Sequence, residues 1–546
     1  MDGWTRVRAK DKRKQEVEGI KERMEASVPL GLRVVAEEKG VSWSQYEKLK
    51  VAEVAALLEC SEAGVLEAMR GMASEGLRSK FCGQEHVFAW LDAGELTFGE
   101  AAAFREGLAS TDVALAKGIW AAATKTVPPA VQSIAPLASS ACEDDVRRSE
   151  WRRRGLTLIA DGKAAALVMA GGQGSRLGYE GPKGCFELAK LPTRPSLFEL
   201  FAKRLLRVAS LSNQEEEANE KGQHPLFLVM TSELNDAETR NYFEAHDYFG
   251  LSKGLVHFFP QGTLPAVDLS ASEKGLFKLH MEAKDRLATA PNGNGGVYSA
   301  LKKSGKLDLL KEAGVDYVHL TSVDNALCLP CDPVFLGYCL EKEAKVASKV
   351  VAKQYATERV GVLALKNGAP TVVEYSELST ADAEKIDNDG KLTFRSGNIC
   401  NHGLSLNFLK KAANADEKNL LPYHVARKNI KTPNENDGKV PNAIKLETFI
   451  FDAFTLEPDH STLEVEREDH FAPVKNKDGA DSPATAADAL LQQGARWLRQ
   501  AGATVHGDFG VEVSPEVSYA GEGLLSCCRG LTLDASKAPL LFTPQV

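Results

Sequence analysis

The sequence has no hydrophobic run long enough to cross a membrane, and the pattern of its first residues is not that expected of a secreted protein. None of the apolar stretches in its 546 residues reaches the roughly 18 to 20 residues that a transmembrane helix requires. The N-terminus, from Met1 to Lys10, lacks the apolar core of a secretory signal. We therefore expect a cytoplasmic protein with no membrane partner. Import into an organelle stays open, although the last residues, Thr543 to Val546, are not a peroxisomal signal.

An excess of positive charge is also absent. The chain has 66 Lys and Arg residues against 75 Asp and Glu residues, which gives a net charge of −9. A general nucleic-acid binder needs a basic face to hold a long run of phosphates, so we expect no nucleic-acid partner. The basic cluster from Arg6 to Lys14 is soon followed by glutamates, which favours a solvated helix, with a nucleic-acid arm as the alternative.

Cysteine is sparse and forms no recognisable framework. The ten cysteines, among them the adjacent Cys527 and Cys528, show no disulfide pattern. Cys328 and Cys331 form a C-x-x-C motif, but the sequence has no second such pair and no histidine pair at zinc spacing. We therefore interpret these two as buried or loop thiols rather than zinc ligands.

The length and the residue pattern predict several domains, because 546 residues exceed one ordinary hydrophobic core. Residues 1–150 are predicted to form a helical region, which includes an amphipathic helix between Lys48 and Met72. Residues 151–456 alternate between strand and helix patterns. Residues 457–546 contain short strand-like runs and glycine turns, which predict a small β-rich domain.

A glycine-rich stretch follows the first strong strand pattern. The apolar run from Ala164 to Ala170 predicts a buried strand, and Gly171, Gly172 and Gly174 come next. Glycines let backbone N–H groups turn inward without obstruction by a Cβ atom, so such a loop can hold phosphate oxygens. Arg176 and Lys183 would add positive charge to the same concavity. The stretch therefore predicts a nucleotide phosphate site.

Two familiar phosphate loops do not fit this stretch. In a P-loop the lysine directly follows the second glycine, whereas here Lys183 comes nine residues after Gly174. The dinucleotide fingerprint is G-x-G-x-x-G, whereas Gly172, Gly174 and Gly178 give a pattern that is one residue longer. Neither a P-loop nor a dinucleotide site is predicted.

Further strands predict a doubly wound sheet. Apolar runs at 225–230, 256–259 and 316–323 are typical of strands covered on both faces. Ligands of such sheets bind outside the carboxyl ends of the strands, where polar loops follow these runs. Asp324, directly after the last run, is well placed to hold Mg²⁺, since this ion prefers one or two carboxylates plus phosphate oxygens; a simple turn cap is the alternative.

Three later stretches carry polar groups. Asn292 to Gly296 precede a helical run, so their amides could meet an anion or a base edge. The stretch from Gly397 to Gly403 concentrates amide and imidazole groups that could line a sugar pocket or form a satisfied turn. Lys445 is predicted to begin an apolar, buried helix, an unusual position for a charge unless it meets an anion.

Taken together, these motifs resemble those of the eukaryotic UDP-N-acetylglucosamine pyrophosphorylases. The resemblance rests on Leu167 to Gly178, Gly181 to Gly184 and an ordered series of later blocks, which are Phe259–Ala266, Asn292–Tyr298, Val323–Asn325, Val373–Glu377, Gly397–His402, Ile444–Glu447 and Arg467–Pro473. It covers the chain from about Gly83 onward and leaves residues 1–82 as an extension. It implies a Rossmann-like nucleotidyltransferase fold, which is α/β with a mixed, mostly parallel sheet and flanking helices, and makes residues 151–456 the catalytic domain.

The resemblance also implies a reaction and a set of site residues. In the reaction, UTP and N-acetylglucosamine 1-phosphate give UDP-N-acetylglucosamine and pyrophosphate, with Mg²⁺ as the cofactor. The implied catalytic residues are Arg176 and Lys183. The implied nucleotide contacts are Gly171, Gly172, Gly174, Met230, Gln261, Asn294 and Gly295. The implied sugar-phosphate contacts are Asp324, Asn325, Gly361, Glu374, Tyr375, Asn398 and Lys445, with Asp324 also the metal ligand.

Alternative functions remain at the level of sequence. The nearest is a pyrophosphorylase that uses glucose 1-phosphate or several sugar phosphates. A different class is a protein of the same fold that binds UDP-sugars as a sensor and catalyses no reaction.

For the reaction that the resemblance implies, we expect direct attack by a sugar-phosphate oxygen at the α-phosphorus of UTP, without a covalent intermediate. No nucleophile paired with a base lies near the loop in sequence. The oligomeric state is left open, with a monomer favoured.

Overall fold

The computed structural model describes residues 30–58, 60–125, 133–141, 144–215, 224–418, 420–433 and 440–543. The predicted basic cluster from Arg6 to Lys14 lies outside these residues. The chain divides into two compact units, and each consists of three separate segments. The first unit comprises Met1–Thr126, Thr263–Asn292 and Tyr423–Glu447, and the second comprises Val127–Gly262, Gly293–Pro422 and Thr448–Val546.

The α-helices of the described residues, in chain order, are α1 Leu30–Glu38, α2 Trp43–Tyr46, α3 Val51–Leu58, α4 Glu62–Gly71, α5 Glu75–Lys80, α6 Ala89–Asp92, α7 Phe98–Ser110, α8 Val113–Ala123, α9 Asp145–Ala160, α10 Leu197–Glu215, α11 Asp236–Ala245, α12 Leu269–Glu273, α13 Val297–Lys303, α14 Lys306–Glu312, α15 Pro333–Glu341, α16 Thr380–Ala383, α17 Leu406–Glu417, α18 Arg467–His470, α19 Pro483–Gln500 and α20 Leu525–Cys528.

The strands are β1 Ile134–Pro136, β2 Ser140–Ala141, β3 Ala164–Met169, β4 Leu226–Ser232, β5 Val256–Gln261, β6 Thr263–Pro265, β7 Val267–Asp268, β8 Met281–Ala283, β9 Arg286–Leu287, β10 Thr289–Pro291, β11 Tyr317–Ser322, β12 Val346–Ala352, β13 Val362–Lys366, β14 Ala369–Val373, β15 Ser396–Ser405, β16 His424–Lys428, β17 Ala443–Glu447, β18 His460–Glu464, β19 Thr504–His506, β20 Val511–Val513, β21 Thr532–Asp534 and β22 Leu540–Phe542.

The second unit is built on an eleven-stranded mixed sheet. Its main path runs β2-β18-β12-β15-β11-β3-β4-β5, and β13 joins β15 to β1 and β14. Neighbours along the path are parallel except at β15, which runs antiparallel to β11 and β12. Strand β3 therefore lies inside a parallel block, and the predicted strands at 164–170, 225–230, 256–259 and 316–323 are confirmed.

Strand β3 has a continuous apolar sequence because both of its faces are buried. Ala164, Ala166 and Val168 belong to one hydrophobic core, and the alternate residues Ala165, Leu167 and Met169 belong to the core on the other side of the sheet. Helices cover both faces, so no residue of the strand faces water. The predicted α/β fold, with a mostly parallel sheet and flanking helices, is confirmed.

Helices α9 and α15 pack with their backbones in direct contact. A Cβ atom at Gly155 would lie 1.9 Å from the Pro333 carbonyl oxygen, and one at Gly337 would lie 1.9 Å from the Trp151 carbonyl oxygen. Only glycine fits at either position, since no real Cβ atom approaches another atom so closely. Asp332 begins α15 by accepting a hydrogen bond from the Val334 amide at 2.9 Å.

The first unit joins the N-terminal helices to two segments that come much later in the chain. Gln84 donates a hydrogen bond to the Phe277 carbonyl oxygen at 2.9 Å and accepts one from the Leu279 amide at 2.7 Å. Leu279 and Met281 also lie in the hydrophobic core of the N-terminal helices. Ile444 and Leu446 pack in one hydrophobic cluster with Ile119 and Trp120. The compact units therefore do not follow the predicted linear boundaries at 150 and 456, because such long-range contacts draw 263–292 and 423–447 to the N-terminal helices.

Three predicted elements differ in the structure. The single helix predicted between Lys48 and Met72 is two helices, α3 and α4, because the Ser61 hydroxyl accepts a hydrogen bond from the Gly64 amide and starts a new helix. The polar stretch from Gly397 to Gly403 lies within the long strand β15 rather than in a turn. Lys445 lies on strand β17 rather than on a helix, because β17 pairs with β16 and β7.

The C-terminal segment is less rich in strands than predicted. Strand β18 belongs to the large sheet, and the longest element beyond it is the 18-residue helix α19. The remaining strands form two short pairs, β19 with β21 and β20 with β22. No helix of the described residues is both long and apolar enough to cross a bilayer.

Candidate functional site

The glycine-rich loop follows β3 and folds back on itself. The Gly174 amide donates a hydrogen bond to the Gly181 carbonyl oxygen at 2.9 Å, and the Lys183 amide donates one to the Gly172 carbonyl oxygen at 3.1 Å. These bonds bring Lys183 beside the first glycines although it lies eleven residues further along the chain. The structure thus joins two parts of the predicted phosphate site.

The end of β4 holds the start of this loop. The Ala170 amide donates to the Met230 carbonyl oxygen at 2.7 Å. Asn235, which is fully buried, donates from its amide to the Ala170 carbonyl oxygen at 2.9 Å and to the Gly172 carbonyl oxygen at 3.3 Å. Asn235 was missed by sequence reasoning, although it lies in the polar loop after a predicted strand.

Gln261 covers the first glycine of the loop. It lies at the end of β5 and is 7% exposed, and Met230, on the neighbouring strand β4, is 2% exposed. A Cβ atom at Gly171 would lie 2.5 Å from the Gln261 Nε2 atom and 3.2 Å from the Thr231 carbonyl oxygen. The absence of a side chain at Gly171 therefore allows the ends of β3, β4 and β5 to meet, as parallel strands do at a ligand-binding edge.

Lys183 and Asp324 meet at this edge. The Lys183 Nζ atom lies 3.7 Å from the Asp324 Oδ2 atom, and both side chains are about one-fifth exposed or less, at 16% and 20%. The Ser322 hydroxyl donates to the other carboxylate oxygen, Oδ1, at 2.7 Å. Asp324 therefore presents one oxygen toward the lysine and an accessible space, while the other oxygen is engaged by the end of β11.

The donor set at Asp324 fits a magnesium ion. Mg²⁺ takes oxygen ligands and commonly uses one or two carboxylates together with phosphate oxygens and water. Asp324 offers one partly exposed carboxylate oxygen next to a loop suited to phosphates. Among the described residues, no group of three or more His, Cys, Asp or Glu side chains could hold a metal by itself. A cation at Asp324 would therefore depend on oxygens of a bound substrate.

The turn before α13 is tied to the segment that follows β17. The Gly295 amide donates to the Thr448 carbonyl oxygen at 3.0 Å, and the Asn294 side-chain oxygen accepts from the Ile450 amide at 3.0 Å. A Cβ atom at Gly295 would lie 2.7 Å from the Phe449 backbone. These bonds fix the turn, and the contacts of Asn294 and Gly295 with a nucleotide stay predictions.

The predicted sugar residues Gly361, Glu374 and Asn398 lie together. The Asn398 amide donates to the Gly361 carbonyl oxygen at 2.9 Å, and a Cβ atom at Gly361 would lie 3.3 Å from the Glu374 Oε1 atom. The Asn398 side-chain oxygen accepts from the Cys400 amide at 3.0 Å. Tyr375, next in the chain to Glu374, is 48% exposed.

Cys400 connects this sugar region to Asp324. Burial, together with the negative charge of Asp324, raises the pKa of the Cys400 thiol to about 12, although the positive charge of Lys475 acts to lower it. The charges of Asp324 and Lys475 therefore act on the Cys400 thiol, which indicates that the three side chains are near one another. Lys475 was also missed by sequence reasoning, although it lies just beyond the motif that ends at Pro473.

Other predicted site residues have different surroundings. Asn325 is 2% exposed, and its side chain bonds the His470 carbonyl oxygen at 2.7 Å and the Ala472 amide at 2.9 Å, so it holds the Asp324 loop in place. Arg176 is exposed on a short 3₁₀ turn of the glycine loop. Lys445 belongs to the first unit, where its Nζ atom lies 2.5 Å from the Glu447 Oε1 atom.

The C-x-x-C cysteines follow Asp324 in the chain. Cys328 and Cys331 are both buried, and burial raises the pKa of the Cys328 thiol to about 11. Burial also raises the pKa of Cys331 well above that of a free thiol. Both sulfurs are therefore protonated at neutral pH, which makes them poor nucleophiles.

Comparison with known proteins agrees with this architecture. A family model described as UTP–glucose-1-phosphate uridylyltransferase matches residues 124–509. The UDP-N-acetylglucosamine pyrophosphorylase of Saccharomyces cerevisiae is 40% identical over 418 residues, which cover 74% of this chain and 84% of that protein. The UDP-N-acetylglucosamine diphosphorylase 1 of Arabidopsis thaliana is 43% identical over 401 residues, which cover 71% of this chain and 77% of that protein.

A solved structure extends the agreement to three dimensions. The uridine diphosphate N-acetylglucosamine pyrophosphorylase of Trypanosoma brucei, crystallised with an inhibitor, is 31% identical and has a TM-score of 0.66. The alignment covers 84% of this chain and 91% of that chain. Since the family model also matches well over half of the residues, the chain belongs to the UTP–glucose-1-phosphate uridylyltransferase family.

Proposed function

We propose that the protein is a uridylyltransferase that converts UTP and N-acetylglucosamine 1-phosphate to UDP-N-acetylglucosamine and pyrophosphate. The observation that carries this proposal is the meeting of Lys183 and Asp324, 3.7 Å apart, beside the glycine loop at the ends of β3 and β11. That pairing provides a cation for phosphate oxygens and a carboxylate for a metal. The relatives named UDP-N-acetylglucosamine pyrophosphorylase support the substrate.

The reaction needs little chemistry from the protein's side chains. The attacking oxygen of a sugar phosphate is already an anion, so no general base is required. It would attack the α-phosphorus of UTP in line with the departing pyrophosphate. The protein then has to position two polyanions and neutralise the charge that develops between them.

Each charged residue has a distinct role in this proposal. Lys183 would contact the reacting phosphate group, since the bond from its amide to Gly172 keeps it beside the loop. Arg176, which is exposed on the same loop, would contact the outer phosphates of UTP. A magnesium ion held by Asp324 would supply further neutralisation of phosphate charge. The contact of Lys445, a residue of the first unit, with the phosphate of the sugar substrate stays a prediction from the resemblance.

The sugar region supports recognition of an acetamido group. Glu374 and Asn398 lie close to Gly361 and provide carboxylate and amide groups, which can bind hydroxyl and N–H groups of a sugar. The neutral Cys400 thiol contributes a small, polarisable surface nearby. The description of the matching family favours glucose 1-phosphate as the second candidate.

A substrate panel tests the proposal directly. The protein is incubated with UTP, Mg²⁺ and one sugar phosphate at a time, with N-acetylglucosamine, N-acetylgalactosamine and glucose 1-phosphates as the three acceptors of the uridylyl group, and pyrophosphate release is measured. We expect the highest kcat/KM with N-acetylglucosamine 1-phosphate. Higher kcat/KM with glucose 1-phosphate would instead establish the second candidate, and UDP-sugar binding without pyrophosphate release would establish a sensor.

The same assay tests the metal. We expect activity to vanish when EDTA removes divalent cations and to return with added Mg²⁺. Undiminished turnover in EDTA would contradict the role proposed for Asp324.

A monomeric state and a cytoplasmic location stay predictions from the sequence.

A further inference from the structure

Asn235 is fully buried and uses every polar atom of its side chain at the base of the glycine loop. Its Nδ2 atom donates to the carbonyl oxygens of Ala170 and Gly172, at 2.9 and 3.3 Å. Its Oδ1 atom accepts from the Ser232 amide at 2.8 Å and from the Ser232 hydroxyl at 3.1 Å. A single amide therefore links the end of β4 to two peptide groups of the loop.

These bonds determine where the loop amides point. The peptide bonds are trans, so within each planar unit the N–H points away from the C=O. Holding the Ala170 carbonyl toward Asn235 therefore directs the Gly171 N–H away from it. The bond to the Gly172 carbonyl directs the Gln173 N–H in the same way, and that carbonyl also accepts from the Lys183 amide at 3.1 Å.

We propose that Asn235 is a positioning residue for triphosphate binding, which acts by orienting the amides of Gly171 and Gln173 and the backbone of Lys183. The inference rests on the proposed function, since it assumes that the loop binds UTP. The positioning role requires the Nδ2 atom of Asn235 in particular. Both partners of this nitrogen in the loop are carbonyl oxygens, which accept hydrogen bonds but cannot donate them. A carboxylate of the same shape would set oxygen against oxygen.

The decisive variant is Asn235→Asp. At pH 8 its carboxylate repels both carbonyl oxygens, and we expect the KM and the Kd for UTP to rise at least about tenfold, since an unmade buried hydrogen bond carries a cost of this order. At pH 6 a larger fraction of the carboxyl group is protonated and can donate again. The ratio of the variant's KM to the wild-type KM should therefore fall as the pH is lowered from 8 to 6.

A second variant and a matched control separate positioning from stability. Asn235→Ala removes the donor without adding charge, so it should raise the UTP KM by a factor that does not depend on pH. Gln84→Glu makes the equivalent exchange at another buried amide, which is 4% exposed and donates to the Phe277 carbonyl oxygen. It should lower the melting temperature and leave the UTP KM unchanged.

UTP binding by calorimetry, pyrophosphate release and melting temperatures are measured for all four proteins. If Asn235→Asp and Asn235→Ala bind UTP within twofold of wild type at pH 8, the inference is overturned, whatever their melting temperatures. The same holds if the KM ratio of Asn235→Asp is constant between pH 8 and pH 6. If the wild-type protein does not bind UTP at all, the proposed function itself fails.

Discussion

Two parts of the second unit are built in different ways: the predicted nucleotide region, around the glycine loop and Asn235, and the predicted sugar region, around Gly361, Glu374 and Asn398. Around the glycine loop the polar groups are mainly backbone amides, turned by glycines and fixed by the buried side chain of Asn235. In the predicted sugar region the polar groups are side chains. Glu374 directly follows β14, which is antiparallel to β13, and Asn398 lies on β15, which is antiparallel to β11. The first arrangement suits phosphate, which every nucleotide shares. In the second, a single substitution would change the polar groups that are presented.

The strongest test of this contrast is Lys183→Ala, which removes the one charged side chain that the loop brings to Asp324. We expect kcat to fall on the order of 10²-fold to 10³-fold, as losses of single charge-stabilising contacts do. Steady-state pyrophosphate release measures it. The control is Lys190→Ala, which removes an exposed lysine that pairs with Asp488 and should leave kcat unchanged. Near-normal turnover in Lys183→Ala would refute its catalytic role.

Asp324→Asn tests the metal side of the same edge. We expect about a 10²-fold loss of kcat at 1 mM Mg²⁺ and a higher half-saturating Mg²⁺ concentration, because an amide oxygen binds the ion less strongly than a carboxylate. A Mg²⁺ titration of the rate measures both effects. Asp316→Asn, an exposed aspartate just before the opposite end of β11, is the control. An unchanged Mg²⁺ titration would show that the ion binds elsewhere.

A pair of glycine variants separates the two regions. Gly171→Ala brings a Cβ atom to 2.5 Å from the Gln261 side chain, and Gly361→Ala brings one to 2.8 Å from Val372 and 3.3 Å from Glu374. We expect the first to raise the KM for UTP and the second the KM for the sugar phosphate, each by about tenfold, an effect near 1.4 kcal/mol. Each variant is the control for the other. If either variant changed the KM for UTP and the KM for the sugar phosphate equally, the separation into a nucleotide region and a sugar region would be contradicted.

The smallest effect near neutral pH concerns two buried histidines, on the adjacent strands β11 and β15. Burial lowers the pKa of His319 on β11 to about 4 and that of His402 on β15 to about 3. In the unfolded chain each imidazole takes up a proton near pH 6.5, whereas in the folded protein His319 stays neutral down to about pH 4 and His402 down to about pH 3. Below about pH 6.5 the unfolded state therefore binds more protons than the folded state. The free energy of unfolding falls as the pH is lowered through this range, by at most about 1.4 kcal/mol per pH unit per histidine.

Urea unfolding at pH 7, 6 and 5 measures this loss. His402→Gln, which keeps a polar group toward the Ser348 hydroxyl but does not titrate, should show a shallower dependence of the free energy of unfolding on pH. A slope equal to that of the wild-type protein would show that His402 is not responsible. The kinetic variants above should be compared at pH 7 or higher, where this effect is small.

Much of the nucleotide region could be predicted from the sequence because its signals are local. The apolar run before Gly171 and the glycines that follow define a strand and a loop within a few residues. The position of Asp324 at a strand end was predictable for the same reason, since it follows the apolar run of β11; its role as a metal ligand stays a prediction. Side-chain roles that depend on distant partners were not recognisable. Nothing near Asn235 in the sequence shows that its amide reaches Ala170.

The sequence by itself determined the α/β class and the positions along the chain of the buried parallel strands, since both follow from the pattern of apolar residues. It also determined the glycine loop after β3, since glycines give the backbone the freedom that such a loop needs. Only the tertiary structure decided that Gly397 to Gly403 form a strand, that Lys445 lies on β17, and that residues 263–292 join the first unit. The physical reason is that strand pairing and core packing depend on partners remote in the chain, whereas a turn or a buried strand depends mainly on its own residues.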